Sequence, residues 1–281
     1  MLRIFLMLSL VLPNNVYAQS LQKIIVWEQH DVESKTISKK VIELNENGQK
    51  TQVYKNKDLP LESYLYDDKG RLVKESWRLG SEGDGTITYT YQANLTVIRE
   101  TFLYQYSSDI RNIIYEYLNK KGQKRERKQY KIEGGDSLEL KEWRKFYYND
   151  KDSLVLEKLA ILGGEEEGEE THTEYKYNPQ NGKLEKINKY SDKELLSQTT
   201  FEYDERGRLV QQSYENVIYG HAWRYTLFSY KEEYLRKVET IDIYQKEVKI
   251  YKEGKLIRTK IYDVMDSEGD VLEYVGDYQY K

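Results

Sequence analysis

The sequence predicts an all-β protein: tandem antiparallel β-hairpins, about nine units of about 26 residues, forming one long, twisted, curled sheet. Three observations carry this expectation. Tyr dominates the aromatic residues, with 28 Tyr against 5 Phe and 4 Trp, and Tyr fits a pleated, half-buried surface. A short turn string built on Asp or Asn and closed by Gly recurs between apolar or aromatic flanks. That string returns at a period inside the range that marks repeat architectures.

The first element, residues 1–18, reads as a secretory signal peptide. Arg3 supplies the positive charge. Ile4 to Leu12 is an apolar run broken only by Ser9, and Pro13-Asn14-Asn15 ends it. Val16-Tyr17-Ala18 then places small residues where signal peptidase needs them, before Gln19. The run is too short to cross a bilayer, and no later apolar stretch approaches the length of a membrane helix. The chain has no Cys, so no lipid-anchor cysteine, and the expected location is periplasmic or secreted, not a lipoprotein.

Residues 19–281 are expected to form a single domain: an N-terminal cap over 19–40, repeats over 41–262 and a C-terminal cap strand over 263–281. Leu21 to Trp27 (LQKIIVW) is the apolar stretch suited to the first cap, and Tyr274 to Tyr280 (YVGDYQY) to the second. The clearest repeat copies are Tyr64 to Trp77 (YLYDDKGRLVKESW) and Phe201 to Tyr214 (FEYDERGRLVQQSY). Weaker copies run over Tyr115–Tyr130, Tyr175–Tyr190 and Val248–Tyr262, and degenerate ones over Val41–Tyr54, Tyr89–Phe102, Phe146–Leu159 and Leu227–Ile241. The residues just before the turns are Leu44, Tyr66, Tyr91, Tyr117, Tyr148, Tyr177, Tyr203, Tyr230 and Tyr251.

The chemistry of one unit explains the string. In Asp67-Asp68-Lys69-Gly70 the Asp side chain bonds nearby backbone, and Gly accepts positive φ without a Cβ clash. A type I turn closed in this way sets Tyr66 opposite Leu72 on one face and Leu65 opposite Val73 on the other.

The strings Tyr66–Leu72 and Tyr203–Leu209, each Tyr-Asp-x-x-Gly-Arg-Leu, resemble the YD (Rhs-type) repeat. The resemblance covers about residues 40–262. It implies tandem hairpins in long sheet strips that can coil into shells around other polypeptides, on secreted and surface proteins of bacteria. Strings such as Tyr251-Lys252-Glu253-Gly254-Lys255-Leu256 resemble MORN-type hairpin repeats more weakly.

Nine hairpins give about eighteen strands, more than an open sheet holds without curling. The strand number and the abundant Tyr also suit an outer-membrane barrel. Charge weighs against that alternative. In Lys124-Arg125-Glu126-Arg127-Lys128, Lys141-Glu142-Trp143-Arg144-Lys145 and Glu185-Lys186-Ile187-Asn188-Lys189 both faces of a strand carry charge, and a lipid-facing strand needs one face without it.

Composition narrows function further. Zero Cys excludes disulfide scaffolds, thiolate metal sites and cysteine nucleophiles. A formal net charge of −4 with no basic block argues against nucleic acid as a partner. His30, His172 and His221 lie far apart and make no metal motif. No Gly-x-Ser-x-Gly, phosphate-loop or HExxH string is present, so no catalytic residue and no cofactor is expected. Trp77, Trp143 and Trp223, with Trp27, are candidate binding residues for a sugar or peptide platform, set against ordinary packing of a Tyr-rich sheet. Glu165, Glu166, Glu167, Glu169 and Glu170 are a weak alternative calcium loop, set against a solvated connection.

The function these readings favour is an exported, non-catalytic β-repeat module that binds or scaffolds an envelope or extracellular protein, or a polysaccharide, through its broad surface and open edges. The alternative is a carbohydrate-active or sugar-binding protein using Trp, Tyr and Glu in a curled groove. The outer-membrane barrel is placed last.

Overall fold

The computed structural model describes residues 23–30, 37–55, 60–78, 83–103, 110–133, 137–162, 168, 170–218, 221–265 and 269–280. Twenty strands account for most of them. They are β1 Lys23–His30, β2 Ile37–Leu44, β3 Lys50–Lys55, β4 Pro60–Tyr66, β5 Leu72–Arg78, β6 Asp84–Gln92 and β7 Leu95–Leu103. Next come β8 Ile110–Leu118, β9 Lys124–Glu133, β10 Ser137–Tyr148, β11 Leu154–Ile161, β12 Glu170–Tyr177, β13 Leu184–Ser191 and β14 Glu194–Tyr203. The last six are β15 Leu209–Asn216, β16 His221–Lys231, β17 Tyr234–Asp242, β18 Gln245–Lys252, β19 Lys255–Met265 and β20 Gly269–Tyr280. The proposed signal peptide lies outside the described residues.

Each strand pairs antiparallel with the next in sequence, and β1 pairs antiparallel with β20. Ile24 faces Tyr280, Val26 faces Tyr278 and Gln29 faces Val275. The sheet is therefore a closed barrel. This corrects the expected open, curled sheet. The repeats are local hairpins, as expected, but the first and last strands satisfy each other's edges instead of ending the sheet against solvent. Closure is the one arrangement that removes edges altogether.

Two kinds of connection divide the barrel into two rims. The turns at 45–49, 67–71, 93–94, 119–123, 149–153, 178–183, 204–208, 232–233 and 253–254 lie at one end, with the start of β1 and the end of β20. We call this the turn rim, and the opposite end the far rim. The chemistry of the turn rim follows from its first residue. Asp67 Oδ1 accepts from the backbone N–H groups of Lys69 and Arg71, at 3.0 and 2.8 Å. Asn45, Asn119 and Asn149 accept in the same way from the residues two and four further on. Gly70 takes φ 73° and Gly207 φ 79°, the left-handed conformation the turn needs.

The pairing steps by one residue beside most of these turns. Tyr66 faces Leu72 as expected, but Leu65 faces Lys74, not Val73. The bulge adds one residue to the outgoing strand, so every side chain beyond it changes face relative to a plain hairpin.

Small apolar residues pack at the points where the strands crowd. Val53 is 0 % exposed, and Val26 and Ile114 are each 2 % exposed. Val26 belongs to the strand that closes the ring.

Candidate functional site: the inner wall and its tyrosine rim

The register assigns every strand residue to one of two faces, and the assignment returns to itself around the ring. One face holds Leu65, Lys74, Arg78, Arg99, Leu103, Tyr147, Lys158, Tyr225 and Arg258, all exposed. The other holds Val26, Val53, Tyr64, Glu75, Trp77, Ile114, Arg144 and Thr259, all buried or half-buried. Buried residues occur on both faces, with Ile25, Val97, Ile113, Asn188 and Val248 on the first, while exposed side chains concentrate on the first. Side chains converge on the concave side of a closed sheet, so the second face is the inner wall. At about 4.8 Å per strand, twenty strands give a perimeter of roughly 95 Å. Barrels of 16–18 strands already leave an aqueous channel. This interior is a lumen, not a packed core.

A repeated tyrosine closes the inner wall at the turn rim. The hydroxyls of Tyr66, Tyr91, Tyr148 and Tyr177 donate to the carbonyls of Lys50, Leu72, Lys124 and Leu154, at 2.8, 2.8, 2.8 and 3.0 Å. Those of Tyr203, Tyr230 and Tyr280 donate to Leu184, Leu209 and Leu256, at 2.8, 2.9 and 2.8 Å. In each case the donor stands near the turn-rim end of a strand and the acceptor near the start of the strand before it, the outgoing strand of the preceding hairpin. Each bond spans a gap that no turn closes. A cation of the earlier hairpin lies over the same ring: Arg71 over Tyr91, Lys183 over Tyr203, Arg208 over Tyr230 and Lys255 over Tyr280. A hydrogen bond of this kind contributes about 1 kcal/mol and a cation over a ring about 0.5–1 kcal/mol. The tyrosine repeat in the sequence is thus a set of inter-hairpin staples.

Further from that rim the inner wall is charged on one arc. Across β8 to β12 runs a ladder. Lys124 pairs with Glu116 at 2.6 Å, Arg127 with Glu142, Arg144 with Glu142 at 2.7 Å and with Glu157 at 2.8 Å, and Tyr175 donates to Glu157 at 3.3 Å. On β3 to β6, Lys50 and Tyr64 both bond Glu62, at 2.8 and 2.6 Å, and Tyr89 donates to Glu75. At the seam Tyr274 donates to Glu28 at 3.3 Å. Between β12 and β17 the inner wall is mostly hydroxyls: Thr171, Thr173, Ser197, Thr199, Thr226 and Thr240. Such a surface is wettable. The Glu-x-Tyr alternation of Glu62 and Tyr64 was visible in the sequence and is the signal that could have found this wall.

The outer wall is also charged. Lys39, Arg99, Glu126, Lys128, Lys145, Lys158, Glu174, Glu239, Lys246 and Lys260 all point outward. Arg127 and Lys128 stand on opposite faces, as the sequence pattern implied.

The predicted Trp residues are divided between the walls. Trp77 is on the inner wall, its ring lying over Gly85 and 5.4 Å from Phe102. Trp143 is on the outer wall, where Nε1 donates to Glu126 at 2.6 Å and Lys128 and Lys145 lie over the ring. Trp27, also outward, has Lys39 over its ring. Trp223 lies in β16. Trp77 and Trp143 are therefore not brought to one surface. Of the acidic loop, Glu165, Glu166, Glu167 and Glu169 lie outside the described residues, and Glu170 is the exposed first residue of β12. Among the described residues no cluster of three or more His, Cys, Asp or Glu is placed to hold a metal ion, and no helix is long and apolar enough to cross a membrane.

No family model and no curated protein matches the chain. Among solved structures it is similar to a porin-like protein from Bacteroides uniformis, at 12 % identity and a TM-score of 0.44, over 93 % of this chain and 98 % of that one. The barrel assignment rests on the pairing of β1 with β20, not on that likeness.

Closure also corrects the functional expectation. A module that offers open sheet edges and a curled groove needs edges and a groove. Here the two strands that would have been edges are paired with each other, and the concave face is a lumen.

Proposed function

We propose that the protein is a β-barrel of the outer membrane, held at the membrane rather than spanning it, whose water-filled lumen takes up small polar solutes. One observation carries this reading: the ring is closed by β1 and β20 around an inner wall of Tyr, Glu, Arg, Lys and Thr. The even strand number and the position of both described chain ends at one rim support it. The export pattern at residues 1–18 supports the envelope as its location.

The outer wall decides how such a barrel sits. A spanning barrel shows lipid an apolar band about 25 Å tall, and each Lys or Arg facing the bilayer midplane costs about 2–4 kcal/mol. Six such cations (Lys39, Arg99, Lys128, Lys145, Lys158 and Lys260) would together cost on the order of 10–25 kcal/mol. That matches or exceeds the whole stability of an ordinary domain. The wall therefore stands in water, and contact with the membrane falls to the ends of the strands.

The test is fractionation followed by solute binding. Mature protein expressed with its export signal is expected in the outer-membrane fraction, and the purified barrel is expected to retain small polar dyes. Protein found wholly in the soluble fraction, with no dye retained, would contradict the reading.

A further inference from the structure

The charge on the outer wall is not spread evenly. Across β5 to β11 the register points Lys74, Arg99, Arg111, Lys128, Lys145 and Lys158 outward. Arg78 also points outward on this arc, where Asp84 faces it. Among the described residues, the remaining carboxylate that the register points outward there is Glu126. It is already committed, to Lys128 at 3.2 Å and to Trp143 Nε1 at 2.6 Å. Lys74, Arg99 and Lys158 are exposed and have no ion pair among the described residues. Lys145 stands directly opposite Lys158, and like charges so placed repel. The arc from β12 to β20 is different in kind. There Lys176 pairs with Glu174 at 3.5 Å, Lys237 with Glu239 at 2.6 Å, Lys246 with Asp270 at 2.9 Å and Arg258 with Asp277 at 2.5 Å.

We propose that this basic stripe is a docking surface for a linear acidic polysaccharide. The stripe is on the outer wall, and its role does not depend on what the lumen holds. Charge complementarity calls for an anion. The extent of the stripe calls for a long one, since β5 to β11 spans roughly 29 Å at about 4.8 Å per strand. The spacing is regular. Lys74, Arg99, Lys128 and Lys158 stand on β5, β7, β9 and β11, one cation on every second strand, about 10 Å apart across the sheet. Lys74 and Arg99 lie in one row, and each later cation is displaced along its strand towards the turn rim, so the four follow an oblique line. A linear acidic polysaccharide carries its carboxylates or sulfates at a fixed interval along an extended chain, and the surface of a folded acidic protein does not. Tyr115 and Tyr130, half-buried on the same arc with ring centroids 5.8 Å apart, add apolar ring surface between the cations. The wall stands in water, so such a chain reaches the stripe without displacing lipid.

The test uses the purified mature barrel and three polymers of similar length: hyaluronate, which carries a carboxylate on every second sugar ring, neutral dextran, and polyglutamate. Binding is read by titration calorimetry at low and at high salt. Hyaluronate is expected to bind, more weakly at high salt, and dextran not to bind. The double variant Arg99→Gln with Lys158→Gln is expected to lose about tenfold in hyaluronate affinity. The control, Lys186→Gln with Lys260→Gln, removes the same charge from the other arc and is expected to bind like the parent. The double variant is expected to keep the parent's circular dichroism spectrum and to melt no lower, since Lys158→Gln removes a repulsion. No hyaluronate binding by the parent would overturn the proposal, as would equal affinity in parent and double variant, an equal loss in the control, or equal binding of dextran. Polyglutamate bound as tightly as hyaluronate, and weakened by the same variant, would assign the stripe to an acidic protein and overturn it too. Hyaluronate binding by a barrel that retains no polar dye would contradict the lumen reading and leave the stripe assignment standing, so the two readings fail separately.

Discussion

The two rims of the barrel are built on opposite principles. At the turn rim a polar turn is capped by its own Asp or Asn, and a tyrosine fastens each hairpin to the one before it. At the far rim Ile37, Leu103, Leu138, Ile218 and Tyr244 are exposed, and among the described residues no tyrosine staple recurs there. The first rim holds successive hairpins together where no turn joins them. The staple from Tyr280 to Leu256 joins β20 to β19, beside the seam, and across the seam itself Tyr274 donates to Glu28.

That comparison can be broken most severely at the seam. Val26→Lys places a charge at a position 2 % exposed, opposite Tyr278, and is expected to lose about 3–5 kcal/mol of stability, read from denaturant midpoints. A loss below 1 kcal/mol would mean that the seam is not packed as described. Next in size are the staples. Tyr66→Phe and Tyr230→Phe are each expected to lose about 1 kcal/mol, and their sum is expected to hold when they are combined, because β4 and β16 are far apart around the ring. Tyr244→Phe at the far rim is expected to stay within about 0.5 kcal/mol of the parent. Equal effects at both rims would erase the distinction. A smaller effect comes from turn geometry. Gly207→Ala places a Cβ at φ 79° and is expected to destabilise by about 1 kcal/mol, detectable by thermal melting.

The smallest effect is electrostatic. Hydrogen bonds from the Arg71 side chain and backbone hold the Asp67 carboxyl below the usual carboxylate range, and the Arg208 backbone and side chain do the same for Asp204. A depressed folded pKa gives stability that is fully present above the unfolded carboxylate range and lost as pH falls through the folded value. The double variant Asp67→Asn with Asp204→Asn keeps the turn, as Asn45 and Asn149 show, and removes the titration. Its stability is expected to fall less steeply than the parent's below about pH 4. An unchanged slope would show that neither carboxyl contributes.

Much of the turn rim was legible in the sequence because its chemistry is local. Asp67, Gly70 and Tyr66 lie within five residues, and the turn they specify is the turn that forms. The register was legible only in part: the bulge that sets Leu65 against Lys74 depends on hydrogen bonding, not on residue pattern. For the same reason the separation of Trp77 and Trp143 onto different walls had to wait for the register. Closure was not legible. Leu21–Trp27 and Tyr274–Tyr280 each read as a strand seeking cover, but no local periodicity says that two stretches at opposite ends of the chain cover each other. The purpose of the tyrosines was hidden too, since their acceptors are backbone carbonyls on another strand.

Closure of the ring is the claim on which the rest depends, and a cross-link tests it directly. The chain has no Cys, so Gln29→Cys with Val275→Cys introduces the only thiols, on residues that face each other across the seam. Mild oxidation is expected to join them within one molecule, in high yield and at monomer mass, with the melting temperature raised. Thiols that stay free, or that join only between molecules, would show an open sheet and contradict the barrel.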